Sequence, residues 1–122
     1  MSKTILIVDD NELVRKTLAA ALISNETAVE TADNGKDGLK LALEKHPDII
    51  VTDVHMPQLG GLEMIDKIRT DEWGKKVPIL VMTIDEDTES INKALEAGVT
   101  VYISKNVTDP AAIVEQIKTA VG

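Results

Sequence analysis

The sequence predicts an α/β fold in which helices cover both faces of a doubly wound parallel sheet. Short, nearly continuous apolar runs recur along the 122 residues, as in strands that are covered on both faces. Between these runs, the apolar residues take the three- and four-residue spacing of an amphipathic helix. Five strand–helix repeats with short connections therefore indicate a parallel sheet with right-handed crossovers.

The five predicted strands are the apolar runs themselves. Ile, Leu and Val dominate four of them, whereas the second contains Glu30 at its centre, which suits an exposed edge strand. The runs occupy residues 4–8, 28–32, 49–52, 79–82 and 99–103.

Each predicted helix has one apolar face, and three helices have capping signals at their beginnings. Asp10 and Asn11 are capping candidates for the first helix, and Asp87 is one for the fourth. The fifth helix opens with Asp109 as its cap, followed by Pro110 at the first helical position. The apolar faces consist of Leu13, Val14, Thr17, Leu18, Ala21 and Leu22; Leu39, Ala42 and Leu43; Leu62, Ile65 and Ile68; Ile91, Ala94 and Leu95; and Ile113, Ile117, Ala120 and Val121.

Composition and charge exclude several classes of function. The chain has 21 acidic and 13 basic residues, a net charge of -8, which argues against a nucleic-acid or anionic-membrane surface. The absence of cysteine excludes disulfides, thiolate zinc sites and cysteine nucleophiles. The apolar runs are too short for a signal peptide or a membrane span. We therefore expect one cytoplasmic domain that spans residues 1–122, with residues 71–76 as a polar loop.

Polar residues follow the ends of four predicted strands, where ligands bind in open α/β sheets. A single aspartate at such a junction is often only a helix cap. Three carboxylates, a hydroxyl and an ammonium at one sheet edge are much less frequent by chance. These residues are Asp9, Asp10, Asp53, Thr83 and Lys105.

The chemistry of this set indicates a magnesium site and phosphoryl transfer. Oxygen ligands without cysteine favour a hard cation such as Mg²⁺. The chain lacks the glycine-rich phosphate loop, the dinucleotide fingerprint and the G-x-S-x-G nucleophile motif. A carboxylate beside Mg²⁺ and a lysine is suited to accept a phosphoryl group as an aspartyl phosphate.

These residues give the chain a resemblance to the receiver domain of bacterial response regulators, in particular to chemotaxis receivers, over essentially its whole length. The resemblance implies a flavodoxin-like three-layer sandwich with strand order 2-1-3-4-5. The matching residues are the acidic pair Asp9-Asp10, the phosphoacceptor Asp53, the loop residues Met56-Pro57 and Gly61, the hydroxyl residue Thr83, the aromatic Tyr102 and the lysine Lys105.

The resemblance also implies a role for each metal-site residue. Asp10 and Asp53 bind Mg²⁺ directly, together with the backbone carbonyl of His55, and Asp9 acts mainly through a metal-bound water. Asp53 takes the phosphoryl group from a histidine kinase, a phosphotransfer protein or a small phosphodonor.

The switch and its partners follow from the same resemblance. Thr83 and Lys105 bond the phosphoryl oxygens, and Tyr102 turns inward behind Thr83. A downstream effector then binds the fourth helix, fifth strand and fifth helix, around Ile84, Lys93, Tyr102 and Glu115. The resemblance implies a monomer and leaves open whether it dimerises on phosphorylation. Neither direct nucleic-acid binding nor metabolite turnover is expected.

Three departures from the family pattern bear on rates and leave alternatives open. Asn106 follows Lys105 where the family has proline, so we expect a trans peptide bond. Ile84 replaces a small residue and narrows access to Asp53, and His55 and Asp85 are placed to influence hydrolysis. Gly60 replaces a capping aspartate.

The alternatives are a receiver-like module that is not phosphorylated and, less favoured, a small Mg²⁺-dependent aspartyl phosphatase. A native stand-alone protein and an N-terminal domain of a longer one are equally compatible with the sequence.

Overall fold

A single five-stranded parallel sheet forms the centre of the structure, in the order β2-β1-β3-β4-β5. The computed structural model describes residues 2–84, 88–105 and 109–121. Fold class and strand order are as predicted, and the edge position of the strand that contains Glu30 agrees with its sequence. The strands are β1 (Lys3–Val8), β2 (Thr27–Ala32), β3 (Ile49–Thr52), β4 (Ile79–Thr83) and β5 (Val101–Ser104).

Helices cover both faces of this sheet, because successive side chains of each central strand point to opposite faces. In β1, Leu6 and Val8 belong to one core cluster, with residues of the second and third helices, while Ile5 and Ile7 belong to the other, with residues of the first and fifth. The helices are α1 (Glu12–Leu22), α2 (Gly35–Lys45), α3 (Gly61–Arg69), α4 (Thr88–Glu96) and α5 (Pro110–Val121).

The predicted helix faces are wider than the buried ones. Leu13 in α1 is 74% exposed, Leu43 in α2 is 39% exposed and Leu95 in α4 is 58% exposed. In each of these helices, the buried residues form a narrower stripe than the sequence indicates. Asn11 caps α1, its side-chain oxygen accepting a hydrogen bond from the Val14 N–H at 3.1 Å. Asp87, predicted to cap α4, lies outside the described residues.

Two connections differ from the sequence prediction. Strand β5 begins at Val101 and not at residue 99, because the Val99 N–H still bonds the Ala94 carbonyl after α4, at 3.2 Å. The predicted polar loop at 71–76 contains a 3₁₀ turn at Trp73–Lys75. There Trp73 stacks on His46 with 4.5 Å between ring centroids and packs against the core.

No helix within the described parts of the chain is both long enough and apolar enough to cross a membrane.

Candidate functional site

Parallel pairing continues past the strand ends and fixes the backbone of the predicted site. The Asp9 N–H donates to the Ala32 carbonyl at 3.1 Å, and the Asp53 N–H donates to the Val8 carbonyl at 3.0 Å. Across the sheet, the Lys105 N–H donates to the Thr83 carbonyl at 2.8 Å. The residues that follow β1, β3 and β5 therefore meet at one sheet edge.

Lys105 links the two buried carboxylates of this edge. Its Nζ lies 2.6 Å from Asp9 Oδ2 and 3.1 Å from Asp53 Oδ2. The other oxygen of each carboxylate accepts a backbone N–H: Asn11 donates to Asp9 at 2.9 Å, and Val54 donates to Asp53 at 2.6 Å. Both carboxylates are thus held in one orientation by partners on opposite oxygens.

The electrostatics of this cluster favour bound cations. Burial raises the pKa of Asp9, and the opposing hydrogen bonds from Lys105 and Asn11 do not cancel that effect. Burial lowers the pKa of Lys105, but the hydrogen bonds and charges of Asp9 and Asp53 outweigh it and raise the pKa overall. Burial thus makes Asp9 easier to protonate, whereas the two neighbouring carboxylates make Lys105 harder to deprotonate.

The carboxylates fit a hard divalent ion. One oxygen from each of Asp9, Asp10 and Asp53 lies within 4.8 Å of the others. Asp9 is fully buried, Asp53 is 9% exposed and Asp10 is exposed. With Lys105, the cluster has two negative charges in excess when all groups are ionised, which matches a divalent cation. Oxygen-only ligands of this kind suit Mg²⁺.

The described residues also leave an open approach to this edge. A groove of about 700 Å³ runs beside it between the β3–α3 loop and α4. Its lining includes Asp10, His55, Glu63 and Lys93. His55 is exposed at the mouth, two residues past Asp53. Ile84, at which the sequence predicts narrower access to Asp53, is also exposed, at 61%.

The two predicted switch residues lie on the neighbouring strands β4 and β5. Thr83 is fully buried as the last residue of β4. It pairs in register with Ser104, and Val81 pairs with Tyr102. Tyr102 is half-buried and packs against the core cluster on the α2 and α3 side. Asp85 and Asn106, to which the sequence assigned effects on hydrolysis and peptide geometry, lie outside the described residues.

Two residues that the sequence did not single out, Arg15 and Thr52, support the acidic cluster through the backbone, as does the predicted loop residue Gly61. The Arg15 Nη1 donates to the Asp9 carbonyl at 2.7 Å. The Thr52 hydroxyl donates to the Asp53 carbonyl at 2.8 Å. A Cβ on Gly61 would overlap that same carbonyl, so α3 begins in close contact with the acceptor segment, although Gly60 gives it no side-chain cap. Contacts to carbonyls leave no residue pattern by which sequence alone could identify them.

Comparison with known proteins agrees with this architecture. The chain is 31% identical over 122 residues to the polar-differentiation response regulator DivK of Brucella ovis, covering 100% of this chain and 98% of that protein. It is 38% identical over 105 residues to the response regulator MprA of Mycolicibacterium vanbaalenii, covering 86% of this chain but only 45% of MprA. The chain thus spans less than half the length of that relative.

Solved structures give the same result. The chemotaxis response regulator CheY4 of Vibrio cholerae matches 98% of this chain and 99% of its own, with a TM-score of 0.88 and 27% identity. A CheY-like receiver domain protein of Methanospirillum hungatei matches 99% and 94%, with a TM-score of 0.89 and 25% identity. Residues 5–118 match the family described as the response regulator receiver domain. The chain therefore belongs to the receiver-domain family of two-component response regulators, a signalling family that interacts with kinases and effectors and binds Mg²⁺ at an acidic pocket.

Proposed function

We propose that this chain is a single receiver domain, spanning residues 1–122, that works as a phosphorylation switch in the cytoplasm. Asp53 is the phosphoacceptor. The observation that supports this most directly is the Asp53 carboxylate itself, which lies 3.1 Å from the Lys105 ammonium and within 4.8 Å of two further carboxylates. A carboxylate between a lysine and a metal-binding group is suited to nucleophilic attack on phosphorus.

In the proposed reaction, a carboxylate oxygen of Asp53 attacks the phosphorus of a phosphohistidine on a kinase or phosphotransfer protein. The new O–P bond forms as the P–N bond breaks, and the electron pair of that bond remains on the imidazole nitrogen. Asp9, Asp10, Asp53 and the His55 carbonyl would hold Mg²⁺, which would supply positive charge that stabilises the transferred phosphoryl group. The Lys105 ammonium and the Thr83 hydroxyl bond those oxygens in the product.

The proposed output is a change in the surface around α4, β5 and α5. As Thr83 bonds the phosphoryl group, Tyr102 turns inward behind it. An effector protein then reads a surface that includes Ile84, Lys93 and Glu115. Ile84 supports this assignment because it exposes 61% of its surface directly after Thr83.

Intact-mass measurement tests the acceptor. Wild-type protein incubated with Mg²⁺ and acetyl phosphate gains one phosphoryl group, and removal of Mg²⁺ with a chelator prevents the gain. Asp53→Asn remains unmodified, whereas Asp66→Asn, a matched change at an exposed α3 position, is labelled as wild type is. Labelling of Asp53→Asn to the wild-type extent contradicts the assignment. A wild type without label, under conditions that modify another receiver, favours a binding module that is not phosphorylated. Repeated turnover of a phosphomonoester favours a phosphatase.

A further inference from the structure

Arg69, the last residue of α3, binds only backbone carbonyls within the described parts of the chain. Its Nη1 lies 2.8 Å from both the Gly74 and Val77 carbonyl oxygens. Its Nη2 lies 2.6 Å from the Gly98 oxygen, and its Nε lies 3.3 Å from the Ala97 oxygen. Burial lowers the pKa of Arg69, but an arginine remains charged at any physiological pH. One fixed guanidinium plane therefore joins two separate segments of the chain.

One of these segments is the end of α4. Gly98, two residues after the last residue of that helix, has a φ of +77°, a conformation that favours glycine. The carbonyls at a helix C-terminus lack partners within the helix and have partial negative charge. Arg69 supplies both donors and positive charge there, at Ala97 and Gly98. It thus caps α4 from a different helix and ties it to the chain before β4.

The two ends of α4 differ in burial. Ala94 is the one buried residue of the helix and lies close to its C-terminal end. Thr88 and Glu89, at the N-terminal end, are exposed. That end follows Thr83, the residue at which a phosphoryl group would act. A nine-residue helix is about 13 Å long, which separates the end near Thr83 from the end at Arg69.

We propose that Arg69 is the pivot of the switch: it holds the C-terminal end of α4 in place while the N-terminal end moves when Asp53 is phosphorylated. This inference rests on the proposed function, because it assigns a direction to the movement that phosphorylation causes. Arg69 is a positioning residue and contacts neither the acceptor nor the metal-binding carboxylates. The surface presented to an effector then changes most beside Ile84 and least beside Gly98.

Spin-label distances test the pivot directly. The chain has no cysteine, so Thr88→Cys or Glu96→Cys can each be combined with Lys40→Cys on α2. Distances are measured with Mg²⁺ alone and with Mg²⁺ plus acetyl phosphate, and phosphorylation is verified by mass. We expect the label at 88 to shift by about 1–2 Å, a common size for helix shifts in switching proteins, and the label at 96 to stay in place. An equal shift at both positions overturns the pivot.

Variants of Arg69 test its contacts with the end of α4 separately from the phosphorylation of Asp53. In the unmodified protein, Arg69→Gln raises amide hydrogen exchange at residues 97–99 by at least about tenfold, as expected for the loss of hydrogen bonds from a charged donor. Exchange at Met64, in the middle of α3, stays unchanged, and Arg69→Lys restores part of the protection. In phosphorylated Arg69→Gln, the label at 96 shifts as well.

The two hypotheses fail differently. A wild type that gains no phosphoryl group contradicts the proposed function, and the pivot fails with it. If amide hydrogen exchange at residues 97–99 is equal in wild type and Arg69→Gln, Arg69 does not hold the end of α4. That result overturns the pivot and leaves the proposal of Asp53 phosphorylation intact.

Discussion

The geometry of the acceptor depends on the absence of one methyl group at Gly61. A Cβ on Gly61 would overlap the Asp53 carbonyl oxygen and lie 2.9 Å from its carbon and 3.1 Å from the Val54 Cα. All of these are backbone atoms, which cannot rotate away as a side chain would. A Cβ on the neighbouring Gly60 would meet the Val54 carbonyl oxygen at 3.4 Å, and its φ of -70° suits any residue. The pair Gly61→Ala and Gly60→Ala is therefore a matched test.

We expect the two substitutions to change the free energy of unfolding by different amounts. In Gly61→Ala, the start of α3 and the Asp53 carbonyl must separate by about 1 Å, and overpacking of this kind costs about 1–3 kcal/mol. A rigid backbone neighbour favours the upper end of that range, and the better helix propensity of alanine offsets about 1 kcal/mol. We expect a net loss of about 2 kcal/mol in the free energy of unfolding. Gly60→Ala should stay within about 1 kcal/mol of wild type, because the lower unfolded-state entropy of alanine is opposed by its poorer capping at this N-cap position.

Urea denaturation in Mg²⁺-free buffer measures these differences, and intact mass over time measures phosphorylation by acetyl phosphate. A displacement of about 1 Å at a reacting group lowers a rate by about 100-fold, so Gly61→Ala should be labelled far more slowly than Gly60→Ala. Equal stability and equal labelling of the two variants would refute the reasoning, because they would mean that α3 can move without moving Asp53.

Three further predictions concern the ion cluster and the first helix. Lys105→Met removes the ammonium from two carboxylates and lowers the free energy of unfolding by about 1.5–3 kcal/mol without Mg²⁺. In urea denaturation, added Mg²⁺ should recover most of this loss because it replaces the missing positive charge. A loss that Mg²⁺ leaves unchanged contradicts this explanation. Because the pKa of Asp9 is raised, the folded protein holds this proton more tightly than the unfolded chain, so the Asp9 contribution to stability grows as pH falls through the raised pKa towards 3.8. Urea midpoints over that range should rise relative to those of Asp9→Asn, and parallel pH profiles would exclude the effect. Asn11→Ala loses the cap on α1 and costs about 1 kcal/mol in the same assay, so an unchanged midpoint would mean that the cap adds no stability.

The central part of the fold is predictable because burial on both faces leaves a direct pattern in the sequence. In β1 every residue from Ile5 to Val8 is buried, since alternate side chains enter different cores. Element ends are less predictable, because they depend on backbone contacts. The start of β5 shifts by two residues from its predicted place because Val99 still caps α4, and nothing in its aliphatic side chain signals that role.

The functional site, like the fold, is predictable from side-chain patterns but not from backbone contacts. Carboxylates and an ammonium at strand ends are visible in the sequence, and the structure brings Asp9, Asp10, Asp53 and Lys105 together. Arg15, a residue that binds a carbonyl of the site, looks in the sequence like any charged residue on a helix surface. Donors to backbone carbonyls have no fixed partner type, so only the three-dimensional arrangement identifies them.

The Lys105–Asp53 ion pair limits how far phosphorylation alone can drive the proposed switch. The ammonium already lies 3.1 Å from Asp53, so on phosphorylation it exchanges one anionic oxygen for another and adds little new stabilisation. The Thr83 hydroxyl then contributes at most one charge-assisted bond, about 1.5–3 kcal/mol, whereas a change from 1:99 to 99:1 needs about 5.5 kcal/mol. A difference of about 2.5–4 kcal/mol remains. A partner that binds only the active form supplies about 2.7 kcal/mol at 100 times its Kd and about 4.1 kcal/mol at 1,000 times, which covers that difference. The phosphorylated chain alone should therefore still populate both positions of α4, and effector binding should complete the transition.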